Sequence, residues 1–370
     1  MANQSPIQWG ILGTGWIASQ FARGFKYVSD ASLGAVASRS RESAEAFAQT
    51  MGVHRAYSSY EELLSQPDID VVYIATPHIR HHTDCLLALE AGKSVLCEKP
   101  FTMNAHQARE VFDLARSRNL FCMEAMWMRF IPLMQQVRHI IKNDEIGEIK
   151  LLSADFGYPV PFDAKSRLFN RELGGGALLD RGVYPLSLAV SLMGKPNRIV
   201  GQASIGSTGV DEQSAMVLHY DHGALATLSS TLLTYGSNTA TIMGTRGQIV
   251  IHPPFYYPEK VSIDRFPDTQ QMKPTPRSSA STSLKERVKV NLKMAPFFKR
   301  LRRLKPHASQ SLVRLEAGQG YHHQVVEVGR CLRAGRVESS LMPWIETLQV
   351  MESMDTLRES WSLTYAQDEA

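Results

Sequence analysis

The strongest constraint on this chain is a strand that runs straight into a glycine-paired turn. Ile7-Gln-Trp-Gly-Ile-Leu12 reads as a buried strand, and Gly13-Thr-Gly15-Trp-Ile-Ala18 follows it without a break. Ile17, Phe21 and Phe25 then recur at the spacing of one helix face. Strand, G-x-G-x-x-A and helix together form the opening unit of a parallel βαβ layer. The glycines allow a tight turn and a close backbone approach, and the small Ala18 lets the helix lie against the strand. The free N–H groups and positive dipole end at the helix start suit a pyrophosphate. A plain tight turn has the same residues. The position at the first strand is what points to a dinucleotide, held at Gly13, Thr14, Gly15, Trp16 and Ile17.

The alternation continues. Leu33–Ala37 is a strand, Ser43–Met51 a helix, and Ser59-Tyr-Glu-Glu62 a capping box. Val71–Ala75 is a buried strand ending at Thr76-Pro77-His78, followed by a helix over about 81–91 that Gly92 closes. Val95-Leu96-Cys97 is a short strand ending in Glu98-Lys99-Pro100. Asn104 caps a helix through Arg118, and 120–124 is a further strand. This pattern predicts an α/β fold, with an N-terminal Rossmann-type doubly wound parallel sheet over residues 1–125. The loops after the first, the Val71 and the Lys99 strands should open on one edge, which aims Lys99 into the ligand crevice. After the second strand there is no carboxylate to hold a ribose 2′-OH. Ser38 and Arg39 can instead donate to a 2′-phosphate, which favours NADP. With Arg39 solvated, NAD also serves. His78, His81 and His82 are the densest histidine group, but no acidic or thiol partner sits at ligand spacing. No metal is expected, and a place along the cleft or at the helix start suits them better.

After Glu124 the texture changes to an α+β pattern, expected over 126–370. A helix over about 131–142 leads to a strand over 149–156. Glycines 174–176 approach Ala177-Leu-Leu-Asp180, and a helix then runs to Gly194. A helix through Asp180 and Tyr184 puts both side chains on one face. Short alternating runs over 198–265, split by Asp221-His-Gly223 and Gly244-Thr-Arg-Gly247, predict a large, open, mostly antiparallel sheet. Helices over about 320–334 and 343–362 end the chain.

The 370 residues suit two domains, and 44% hydrophobic with 21% charged residues suits a globular protein. No apolar run nears the ~20 residues that cross a bilayer. The start, Met1-Ala-Asn-Gln-Ser-Pro6, has neither a basic region nor an apolar core, so a cytoplasmic enzyme is expected. The four cysteines are scattered, which points to neither disulfides nor zinc. The net charge of +4 is concentrated in an insertion at about 272–312, in Lys285–Lys293 and Lys299–Lys305. A lid or a patch for an anionic partner is one reading. A solvated surface insertion is the reading adopted, with membrane contact left open and no nucleic-acid partner expected.

Gly10-Ile-Leu-Gly-Thr-Gly15, Ala75-Thr-Pro77 with His81, and Ala91-Gly-Lys-Ser-Val-Leu-Cys-Glu-Lys-Pro100 together resemble the Gfo/Idh/MocA family of nicotinamide-dependent oxidoreductases. Glu124-Ala-Met-Trp-Met-Arg-Phe-Ile-Pro132 and Gly174-Gly-Gly-Ala-Leu-Leu-Asp-Arg-Gly-Val-Tyr184 look like its dimeric dihydrodiol dehydrogenase and NADP-linked D-xylose dehydrogenase branch. The likeness runs from residue 7 to about 265 and resumes near 318. It implies Lys99 and Tyr184 as the catalytic pair with Asp180 beside them. Tyr184 stands where the wider family often has histidine, and tyrosine is normal in this branch. The likeness also implies cofactor contacts at Thr76, Pro77, His81, Glu98 and Lys99, and a homodimer or homotetramer through the open sheet.

The expected chemistry is reversible oxidation of a secondary alcohol or sugar hemiacetal to a carbonyl. Trp127, Arg129 and Phe156 are expected around the sugar or cyclic diol. Lys99 is expected to favour the tyrosinate form of Tyr184, and Asp180 to orient Lys99 or a substrate hydroxyl. Two other readings fit the same residues: a keto-sugar or anhydro-sugar reductase, and a regulatory protein that senses NADP(H) without turnover.

Overall fold

The computed structural model describes residues 5–266, 308–315 and 318–368. In its first part, β1 (Ile7–Leu12), β2 (Ala31–Ala37), β3 (Arg55–Tyr57), β4 (Val71–Ile74), β5 (Ser94–Cys97) and β6 (Cys122–Glu124) form a six-stranded sheet. The order is β3-β2-β1-β4-β5-β6, and every pair is parallel. Every residue of β4 and β5 is buried, which is why Val71–Ile74 and Val95–Cys97 are unbroken apolar runs. The short edge strand β3 carries no such run, and the sequence pattern does not reveal it. Ser40, Ser59 and Asn104 each cap a helix by accepting an N–H from the residue three further on.

The order reverses at β1, which has β2 on one side and β4 on the other. Past the strand ends the ladder continues: Ala75 N–H bonds Leu12 O at 2.9 Å, Glu98 N–H bonds Ile74 O at 3.0 Å, and Ala125 N–H bonds Cys97 O at 2.7 Å. The loops after β1, β4 and β5 therefore begin at one level, on the edge where ligands bind in such sheets.

The second sheet has eight strands: β7 (Ile149–Gly157), β8 (Arg198–Ile205), β9 (Asp211–His219), β10 (Leu225–Thr231), β11 (Ala240–Gly244), β12 (Gly247–Ile251), β13 (Lys260–Arg265) and β14 (Ala308–Val313). Its order is β14-β13-β12-β11-β7-β10-β9-β8. All neighbours are antiparallel except β7 and β10. The helix Val183–Met193 packs on β7 and β10, and the helix Trp344–Ser360 packs on that helix and on β8. Along β10 and β12 buried residues alternate with more exposed ones, so one side of the sheet is open. Trp344–Ser360 also ties the two sheets together. Trp344 stacks on Phe112 with ring centroids 5.1 Å apart, and Asp355 accepts the Ala105 N–H at 2.8 Å.

The basic runs Lys285–Lys293 and Lys299–Lys305 lie outside the described residues. At the end of that stretch, Ala308–Val313 forms edge strand β14, paired with β13. Among the described residues no helix is long and apolar enough to cross a membrane.

Candidate active site

The turn after β1 is shaped for close approach. Gly13 has φ +103, and a side chain there would lie 2.7 Å from the Ala75 carbonyl oxygen. A Cβ on Gly15 would meet nothing within 4 Å, so this side of the backbone is open. The helix that follows, Trp16–Gly24, has no side-chain cap, and its first residues, Trp16 and Ile17, line the same opening. An uncapped helix start beside an open glycine fits a dinucleotide pyrophosphate. Further along, Thr14 and Ser38 hydroxyls lie 3.5 Å apart, and Arg39 is exposed at the end of β2. All of these line one cleft of about 620 Å³ that continues to Lys99, Asp180 and Tyr184.

Lys99 reaches from the first sheet to the second part of the chain. Its Nζ donates to the Asp180 main-chain oxygen at 2.7 Å and to Asp180 Oδ1 at 3.2 Å. Asp180 sits in a π-helical turn, Leu178–Gly182, that leads into the helix bearing Tyr184. Arg167 Nη2 donates to the same Oδ1 at 3.0 Å. Burial alone would push the Asp180 carboxyl up, but Lys99 and Arg167 outweigh it and hold the group well below the usual carboxylate range. His78 completes the cluster. Its Nδ1 lies 3.1 Å from the Gly174 carbonyl, which sets Nδ1 as the donor and leaves Nε2 to face Arg167 Nη1 at 3.5 Å. Burial and the nearby cations keep this imidazole neutral.

Tyr184 differs from the expectation. Lys99 Nζ stands over its ring, 4.9 Å from the centroid, and is committed to Asp180. The hydroxyl oxygen instead accepts from Trp127 Nε1 at 3.0 Å. Burial, with Tyr321 and Glu98 adding to it, pushes Tyr184 well above its ordinary value. In this arrangement the ammonium is engaged by Asp180 and the hydroxyl oxygen by Trp127. Phe156 stacks on Tyr256 at 4.5 Å between centroids, and Trp127 lies 4.6 Å from Tyr321. With Tyr184 these rings wall the inner end of the cleft.

The other predicted residues divide. Pro77 lines the cleft, as does Trp16, which is 70% exposed at its rim. Thr76, His81 and Glu98 also line it, but their side-chain polar atoms are engaged with protein. Thr76 Oγ1 donates to Asp84 at 2.7 Å. His81 spans the carbonyls of Pro100 and Thr76 at 2.8 and 2.9 Å, bracing the two loops. Glu98 accepts from the Tyr73 hydroxyl and from the Lys99 N–H. His82 turns outward to Glu110. Arg129 is not at the cleft. It is buried on Glu346 and Ser187 because the short 3₁₀ turn Trp127–Phe130 sends Trp127 inward and Arg129 to the opposite side. Sequence reading missed Tyr60, Arg167, Tyr256 and Tyr321. Arg167 stands in a segment without periodicity. The only local hint for Tyr256 is an aromatic run after two prolines.

A parallel sheet with an open glycine turn at its switch point, joined to a cleft of lysine, carboxylate and tyrosine, defines a nicotinamide-dependent oxidoreductase. This chain belongs to the Gfo/Idh/MocA family: residues 7–126 match its oxidoreductase domain with an NAD-binding Rossmann fold, and residues 134–250 match its C-terminal domain. Trans-1,2-dihydrobenzene-1,2-diol dehydrogenase of Xenopus laevis is 34% identical over 362 residues, 97% of this chain and 99% of that protein. D-xylose 1-dehydrogenase (NADP(+)) of Hypocrea jecorina is 31% identical, covering 99% and 95%. Among solved structures, a 3-ketoreductase from Actinomadura kijaniata with bound NADP superposes with TM-score 0.75 at 25% identity, covering 96% of this chain and 98% of that one. Levoglucosan dehydrogenase shares the fold, with TM-score 0.79 at 20% identity over 97% and 98%.

Proposed function

We propose that this enzyme interconverts a secondary alcohol or sugar hemiacetal and its carbonyl product with NADP, on substrates of the trans-dihydrodiol or aldose type. The observation that carries the reading is the meeting of Lys99, from the first sheet, with Asp180 and Tyr184, from the second part of the chain, at the far end of the glycine-turn cleft. Ser38 and Arg39 would hold the 2′-phosphate, and the first turn of Trp16–Gly24 the pyrophosphate. When bound, the dinucleotide accepts or supplies the hydride.

Lys99 and Tyr184 then act on the substrate oxygen. In reduction the Tyr184 hydroxyl gives its proton to the carbonyl oxygen; in oxidation the deprotonated Tyr184 takes the proton of the alcohol and becomes the hydroxyl again. The Lys99 ammonium, held by Asp180, stabilises negative charge on that oxygen. Trp127, Phe156 and Tyr256 offer ring faces to a cyclic substrate and keep water from it. The names of the relatives, a diol dehydrogenase and an NADP-linked xylose dehydrogenase, support the substrate class and the cofactor.

On this reading residues up to about 125 bind the cofactor, and the rest bind substrate. The open side of the second sheet would pair two copies. The unpaired Cys85, Cys97, Cys122 and Cys331 accord with a cytoplasmic setting. The test is NADP reduction, followed by the absorbance of the reduced nicotinamide, across a panel of trans-dihydrodiols and aldoses with wild type and Lys99→Ala. Turnover lost in the variant supports the reading. No turnover with tight NADPH binding points to a reductase of another carbonyl.

A further inference from the structure

The turn that carries Asp180 has no cap of its own. The segment Gly174-Gly175-Gly176 offers no side chain, and Ala177 makes no capping bond. The first N–H of the turn, on Leu178, is instead met by Asp211 Oδ2 at 2.7 Å, from a residue 33 positions further on at the start of β9. Asp211 is fully buried. Gly176 makes room for it: φ there is +121, and a Cβ would fall 2.3 Å from Asp211 Oδ1. Tyr365 closes the other side, its hydroxyl donating to the Gly175 carbonyl at 2.5 Å. A buried carboxylate is costly to keep out of water. Asp211 Oδ1 has no hydrogen-bond partner, so the contact to Leu178 is the main return on that cost. Burial raises the Asp211 carboxyl to about 7 against the pull of the Leu178 N–H, which lowers it.

We propose that Asp211 is a positioning residue for the active site, fixing where the turn Leu178–Gly182 begins so that Asp180 meets Lys99 while Tyr184 faces the cleft. This rests on the roles proposed above for Asp180 and Tyr184. Lys99 is held by the main-chain oxygen of Asp180 as well as by its carboxylate. The ammonium therefore depends on the winding of the backbone here and not only on one side chain. A π turn is wider than an α turn and is retained only where its surroundings enforce it. Releasing the Leu178 N–H lets it rewind, which turns Asp180 relative to Tyr184.

The test compares Asp211→Ala and Asp211→Asn in the full chain, by hydrogen exchange over 177–184, steady-state kinetics and NADPH affinity. Losing the buried acceptor in Asp211→Ala is expected to speed exchange over 177–184 and lower kcat, each by about 10–100-fold, with exchange in β1 and β4 unchanged and NADPH affinity within about 2-fold. Asp211→Asn keeps an oxygen for the Leu178 N–H and should recover most of both losses. Unchanged exchange over 177–184 in Asp211→Ala, or faster exchange there with unchanged kcat, overturns the proposal. If Asp211→Ala does not fold, Gly176→Ala, which crowds the carboxylate, must show the same local signature. Should the wild type turn over no diol or aldose, the proposed function fails by itself, and the exchange pattern alone decides for or against Asp211 as the anchor of the turn.

Discussion

The indole N–H of Trp127 donates to the hydroxyl oxygen of Tyr184 across 3.0 Å. An indole nitrogen can only donate, so Tyr184 must receive this bond, and its own proton is left for another acceptor. The hydroxyl lies at the inner end of the cleft, where a substrate oxygen would be that acceptor. Tyr184→Phe keeps the ring contacts to Phe156 and Tyr256 and removes the proton. We expect kcat to fall by about 10²–10⁴-fold with NADPH binding unchanged in a fluorescence titration. Full turnover in this variant removes Tyr184 from the mechanism.

The direction of the Tyr184 shift makes a separate prediction about pH. Burial pushes the hydroxyl above its ordinary value of about 10. A group raised in this way is protonated through the neutral range. Reduction, which needs the proton, should be level there and fall only at alkaline pH. Oxidation, which needs the proton gone, should climb steadily as the pH rises. The Trp127 bond pulls the value down, so Trp127→Phe should move the rise in oxidative kcat/KM to higher pH. An oxidative profile that is flat from about pH 6 to 9 in both proteins would place the proton transfer on another group.

Much of this site is legible in the sequence because its parts are local. The open glycine turn, the apolar runs of β4 and β5, and the lysine at the end of β5 each follow from a few adjacent residues. The helical spacing of Asp180 and Tyr184 is also local, although a π turn replaces the expected α-helix at Asp180. What sequence reading misses is set by distant partners. Arg129 adjoins a cleft-lining stretch yet is drawn away by Glu346, more than two hundred positions on. Arg167 reaches Asp180 and His78 from a segment with no period, and Asp211 meets Leu178 from another strand. The partners of the tyrosine and the lysine are set in the same way. Asp180 takes the ammonium, as one of its two expected roles, while the bond from Trp127 to the hydroxyl joins residues 57 positions apart.

Glu124, at the end of β6, links the pH dependence of stability to the packing of the two sheets. It is buried against Thr347 of the helix Trp344–Ser360, with one carboxylate oxygen accepting the Thr347 hydroxyl at 3.0 Å and the other unpartnered. Burial is the largest influence and raises its pKa to about 7. A carboxyl raised in the folded state binds more protons folded than unfolded between the two values. Stability from this group is therefore full below the unfolded value of about 4.3 and is lost as the pH rises through about 7. The total is on the order of 3 kcal/mol at 1.36 kcal/mol per unit. Glu124→Gln stays neutral throughout, so its thermal midpoint should fall less than that of wild type between about pH 5 and 8. Parallel curves for the two proteins would show that Glu124 does not titrate in this range.

Arg39 gives the cleanest test of cofactor choice, because it stands exposed at the end of β2 and takes no part in the Lys99 cluster. Its guanidinium lies near enough to Tyr60 to influence that hydroxyl, and both line the outer end of the cleft. A 2′-phosphate held there gains charge-assisted hydrogen bonds that a 2′-hydroxyl cannot match. At about 1.5–3 kcal/mol for hydrogen bonds to a charged group, Arg39→Ala should raise KM for NADP by roughly 10–100-fold. KM for NAD and kcat with either cofactor should hardly change, since the hydride is transferred at the other end of the cleft. Arg39→Asp should go further, repelling the phosphate while offering NAD a carboxylate for its ribose hydroxyls. The informative quantity is the ratio of kcat/KM for the two cofactors in each variant. A ratio that stays constant, with both cofactors weakened together, would mean that Arg39 supports the adenosine generally and that phosphate recognition lies with Ser38 and the main chain of the β2 turn.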